Sequence, residues 1–99
     1  MSDNIARLKD TIRRLHGCDA THVESVPVTE TFHGQTVWEG HVEVFCLIGH
    51  PKAQRCYAWT HSEGQAGERS VAVLEMPPVD SPQSAVRAAI VAESKKKSN

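Results

Sequence analysis

The residue pattern predicts an α+β fold in αββββα order, a four-stranded antiparallel meander with two helices packed on one of its faces. Three observations carry that expectation: an amphipathic stretch opens the chain, alternating runs broken by glycine-bearing turns fill its middle, and an alanine-rich stretch behind a Ser-Pro pair closes it. At 99 residues there is room for one core. The domain is expected over residues 1–94, with the lysine-rich end, 95–99, as a flexible tail.

The first helix follows from Ile5, Leu8, Ile12 and Leu15, spaced by three and four, with Arg7, Lys9, Asp10, Arg13 and Arg14 between them. Ser2 or Asp3 can cap its start and Gly17 can end it in a left-handed conformation. From Thr21 to Phe32, Val26, Val28 and Phe32 share one parity, as on a half-buried strand; Pro27 makes it an edge strand because proline donates no ladder hydrogen bond.

His33-Gly34-Gln35 reads as a three-residue loop with Gly34 left-handed, setting Val26 opposite Val42 and Val28 opposite Gly40. The next strand runs from Thr36 to about Ile48, with Trp38, Val42, Val44, Cys46 and Ile48 on one face. A turn at Gly49-His50-Pro51-Lys52 leads into Ala53 to His61 and sets Val42 opposite Trp59 and Val44 opposite Tyr57. Both registers put the same apolar parity on one face, and such agreement specifies a register. Residues 62–68 read as a polar loop, and Ser70 to Met76 as a fourth strand whose apolar residues fall on both parities. Ser81 and Pro82 supply an N-cap and a first-turn proline for the last helix, with Ala85, Val86, Ala89, Ile90 and Ala92 or Glu93 inward.

Eleven Lys and Arg against twelve Asp and Glu leave a formal charge of -1, without the basic excess of a protein devoted to phosphate backbone. Three cysteines, an odd number without a CxxC pair, fit reduced thiols better than a disulfide framework. The charged start lacks the apolar segment of a secretory signal, and no apolar run reaches the roughly 20 residues of a membrane span. A cytoplasmic, unanchored protein is expected.

His41, His61, Cys46 and Cys56 lie on neighbouring strands, but their parities diverge, whereas zinc needs ligands converging on one point. Cys46 or Cys56 beside Glu43 and a histidine could form a nucleophilic pair, yet both sit mid-strand among packing residues. No hydrolase, metalloprotease, P-loop or dinucleotide fingerprint occurs. No catalytic residue, metal ligand or cofactor is therefore assigned.

The run VWEGHVEVFCLIGHPKAQRCYAW followed by SPQSAVRAAIVAE is similar in layout to the central strands and last helix of the double-stranded RNA-binding domain. That resemblance implies a phosphate-binding lysine cluster opening the last helix. Here Ser81, Pro82, Gln83 and Ser84 stand there with only Arg87 beyond, and an additional strand is present.

The expected function is that of a small noncatalytic binding or assembly module, a homodimer or a partner of another protein. It would act through the uncovered sheet face or an edge strand, with Trp38, His41, Glu43, Phe45 and Cys56 as the candidate surface. The alternative is a nucleic-acid-binding module using Arg7, Arg13 and Arg14 of the first helix with Lys95 and Lys96 of the tail.

Overall fold

The computed structural model describes residues 2–62 and 68–97, with side chains described over 4–60 and 69–92. The expected order holds: α1 (Ser2–His16), β1 (Asp19–Phe32), β2 (Gln35–Ile48), β3 (Arg55–Ser62), β4 (Glu68–Leu74) and α2 (Pro82–Lys97). The strands form one antiparallel sheet in sequence order, β1-β2-β3-β4. Most of the polar loop expected after β3 lies outside the described residues, as do the side chains of Ser2 and Asp3. The last helix continues to Lys97, three residues past its expected end at Ser94.

Both predicted registers are present: Val26 faces Val42, Val28 faces Gly40, and Val44 faces Tyr57. The first hairpin reaches its register by a different route. His33 and Gly34 both have positive φ, 54° and 76°, and Phe32 pairs directly with Gln35, so the connection is a two-residue turn with left-handed residues at both positions. The pairing then shifts between Glu30 and Thr31, where Val37 is an extra residue in β2. A second irregularity leaves Val23 unmatched between His22 and Glu24 in β1. Each bulge inverts the parity of the residues beyond it. Ala20 and His22 therefore lie on the opposite face from Val26 and Val28, although all four are even-numbered.

The arrangement of the helices corrects the sequence expectation. They do not share a face. Val28, Val42, Val44, Tyr57 and Trp59 pack with Val86 and Ala85 of α2. Phe45, Cys56 and Ala58 pack with Leu8 and Ile12 of α1. Adjacent residues of a strand point to opposite faces, so the sheet is the middle layer of three. The physical reason is visible in β2, where Val42 through Phe45 are all buried, a continuous run that only a doubly covered strand requires. It also accounts for β4: Val71 and Val73 join the α2 core while Ala72 and Leu74 join the α1 core.

Leu8 and Ile12 are fully enclosed, but Leu15 is 57% exposed, so the stripe of α1 ends one turn earlier than its spacing predicts. Thr11 is buried instead, its hydroxyl donating to the Arg7 carbonyl at 3.0 Å. Gly17 closes the helix as expected, with φ 69° and its N–H donating to the Arg13 carbonyl at 2.9 Å. For α2, Ser84 N–H donates to Ser81 Oγ at 3.1 Å and Ser81 N–H donates to Ser84 Oγ at 3.0 Å. This is a reciprocal cap in which a serine takes the usual glutamate's place.

Phe45→Ala is expected to destabilise the fold by about 3–5 kcal/mol, as for other buried aromatics. Phe32→Ala, at a side chain 65% exposed, is expected to cost no more than about 0.5 kcal/mol. Equilibrium denaturation in urea measures both, and equal losses would contradict the assignment of Phe45 to an enclosed core.

Candidate functional site

The five side chains expected to share an interaction surface are dispersed. Phe45 and Cys56 are fully enclosed beneath α1, so they are core residues and offer nothing to a partner. The face expected to be open is the one that α1 covers. Trp38 lies on the α2 side, half-buried, its ring edge-on to Trp59 with centroids 5.8 Å apart. It rests over Gly40, where an added Cβ would stand 3.1 Å from its Cη2 atom. His41 is exposed.

Glu43 is 7% exposed and fully engaged: Ser25 Oγ donates to its Oε2 at 2.9 Å, and its Oε1 lies 2.8 Å from His22 Nε2. The His22 ring in turn stands edge-on to Phe45. Ser, His and Glu are thus adjacent, but not in the Ser-His-carboxylate order of a triad. The serine and the histidine each bond the carboxylate, and the imidazole is not bonded to the serine. The cluster satisfies a buried carboxylate.

Burial, reinforced by the neighbouring Cys18, pushes the Cys56 thiol up to about 12. A thiol so disfavoured as thiolate is a poor nucleophile and metal ligand. Cys46 is exposed, on the opposite face from Cys56. Among the described residues no three His, Cys, Asp or Glu gather as a metal site would require; the side chain of His61 lies outside them.

Arg13 and Arg14 of α1 have local duties. Arg13 Nη2 pairs with Asp19 Oδ1 at 2.7 Å, and Arg14 donates to Thr11 Oγ1 at 3.5 Å. With His16 they occupy the last turn, where cations complement the negative end of the helix. Arg7 is exposed. The side chains of Lys95 and Lys96 lie outside those described, and their helix lies on the opposite side of the sheet from α1.

A different surface emerges where α2 crosses the first hairpin. Glu30, 8% exposed, accepts from Arg87 Nε at 2.8 Å and from Gln83 Nε2 at 2.8 Å. Arg87 and then Gln83 hold this carboxyl below its usual range, against a smaller opposing effect of burial. Beside the pair runs a groove of about 720 Å³ walled by Phe32, Val37, Ile90 and Val91. A second groove, about 530 Å³, lies on the other side of Arg87 and Val91, against Pro78 and Val79. Sequence reasoning missed this surface, although the doubly apolar α2, with Ala88 and Val91 beside its inner stripe, carried the signal; Ala92, expected inward, is exposed and lines the second groove.

Both outer strands are also touched by the helices. Gln83 Nε2 donates to the Thr29 carbonyl of β1 at 3.0 Å, and His16 Nε2 lies 3.2 Å from the Ala72 carbonyl oxygen of β4. Neither contact has a local signal, because nothing in a single sequence pairs residues 54 or 56 positions apart.

Two outcomes are expected. A thiol reagent at neutral pH should label Cys46 promptly and reach Cys18 and Cys56 only on unfolding; fast labelling of Cys56 would contradict its burial. Because the carboxyl of Glu30 is depressed in the fold, its pairing stabilises above the unfolded value of about 4.3 and is lost as pH falls through the lower folded value. Glu30→Gln should therefore flatten the acid limb of a stability-versus-pH curve. An unchanged acid limb would show that the pair has no such linkage. No protein-family model, curated protein or solved structure matches this chain.

Proposed function

We propose that this protein is a noncatalytic assembly module that pairs with a second copy of itself through the outer face of α2. The observation that carries this reading is the ridge formed by Arg87 and Val91, one turn apart, with a groove on either side. Ridges of one helix packing into grooves of another are the general geometry of helix association. A surface holding both features can meet its own copy across a two-fold axis, each ridge entering the other's groove.

The chemistry of the surface supports the same reading. Phe32, Val37 and Val91 are 65%, 47% and 48% exposed and all wall one groove. Between Pro82 and Ala92, Arg87 is the one charged residue of α2. Its charge is already matched by Glu30, so covering the ridge leaves no guanidinium without its counterion. A helix apolar on both sides is best accommodated with cover on both.

Light scattering coupled to size-exclusion chromatography tests this. The wild-type chain is expected to elute as a dimer at high concentration, and Val91→Lys as a monomer with the circular-dichroism spectrum of the folded wild type. A wild-type chain that remains monomeric at the highest attainable concentration overturns the proposal.

A further inference from the structure

We infer that the outer edge of β4 is a second self-recognition surface, a strand-addition site for another copy of this chain that His16 holds shut. The inference is independent of the α2 face. The ladder between β3 and β4 decides which backbone groups of β4 face outward. Glu75 N–H donates to the Arg55 carbonyl at 2.9 Å, continuing the ladder in which Leu74 stands opposite Cys56 and Val73 opposite Tyr57. Hydrogen-bonded and non-hydrogen-bonded pairs alternate along an antiparallel ladder, so Val73 and Val71 bond β3, while Ser70, Ala72 and Leu74 turn their N–H and C=O groups away from it. The contact between His16 and the Ala72 carbonyl fits this alternation.

The two edges of the sheet are closed in different ways. On β1 the same reasoning makes Ser25, Pro27 and Thr29 the outward positions, since Val42 and Val44 bond Val26 and Glu24. Pro27 has no N–H to offer, and the Thr29 carbonyl is held by Gln83. That edge is interrupted at Pro27 and Thr29, two of these three positions. On β4 the outward residues are Ser70, Ala72 and Leu74, each with a donor N–H. Among the described residues, the side chain that reaches the middle of this edge with a hydrogen bond is His16 of α1, and a side chain can rotate away.

The occupant is a second copy because β4 is complementary to itself. With Ala72 on a two-fold axis, antiparallel pairing sets Val71 opposite Val73 and Arg69 of one copy opposite Glu75 of the other. These are non-hydrogen-bonded pairs, in which side chains stand closest, so the charges meet and the register is selected. Glu75 Oε2 accepts from the Tyr57 hydroxyl, which holds the carboxylate in place beside β4. Met76 N–H already occupies the Leu74 carbonyl, so the new ladder is built from both Ala72 groups with Leu74 N–H and the Ser70 carbonyl.

The test uses the full chain carrying Val91→Lys, so that pairing through α2 does not contribute. In that background His16→Ala is expected to strengthen self-association by tenfold or more in sedimentation equilibrium, while His16→Gln, which keeps a donor, leaves it weak. Adding Ala72→Pro removes an outward N–H without touching the β3 ladder and is expected to return the His16→Ala chain to monomer. Arg69→Glu, setting like charges opposite Glu75, serves the same purpose should the proline variant fail to fold by circular dichroism. A His16→Ala chain that stays monomeric overturns the inference, as does a dimer indifferent to the folded edge variants.

Discussion

Val44 and Phe45 are neighbours in β2, they point to opposite sides of the sheet, and both are enclosed almost completely. The rest of the structure depends on this two-sided burial. A strand buried on both faces must lie inside the sheet, with neighbours to satisfy its backbone groups, and β2 has β1 and β3. Each face then needs its own cover, and a chain this short has one helix for each. The apolar material is divided between two thin cores rather than concentrated in one. The small residues Ala20, Cys56 and Ala58 on the α1 side let the helix sit close, while Tyr57 and Trp59 fill the wider space beneath α2.

That division also explains the bulges. Were Val23 paired regularly, the start of β1 would carry Ala20 and His22 on the α2 side; with Val23 left unmatched, Ala20 joins Phe45 under α1, and His22 reaches Glu43. The irregularity joins the two cores through one strand. Its cost is an apolar side chain turned outward, and Val37, the extra residue of β2, is exposed to the same extent. Val37 contributes to the groove beside α2, so one product of the irregular pairing becomes part of the surface on which the functional proposal rests.

Much of the architecture is legible in the residues. Element order, both hairpin registers, Gly17 as a helix stop and Ser81-Pro82 as a helix start all follow from local chemistry: periodicity, turn residues and capping groups. The side of the sheet on which each helix lies does not, because a parity pattern shows that a face is apolar without showing what covers it. Phe45, Cys56 and Ala58 have the parity of an open face for that reason, and a candidate surface built on Phe45 and Cys56 fails once α1 is seen to cover them. The expected three-residue loop gives the right register for Val26 and Val42 although the turn has two residues, since the Val37 bulge restores the count. The contacts of Gln83 and His16 with the outer strands arise from tertiary proximity and leave no local pattern to read.

The central claim is that one sheet separates two helix-covered cores. Nuclear Overhauser contacts from the aromatic rings test it most directly. The Phe45 ring is expected to show contacts with the methyl groups of Leu8 and Ile12, and the rings of Tyr57 and Trp59 with the core that contains Val86. Contacts from Phe45 and Trp59 to one and the same helix would place both helices on a single face and contradict the account.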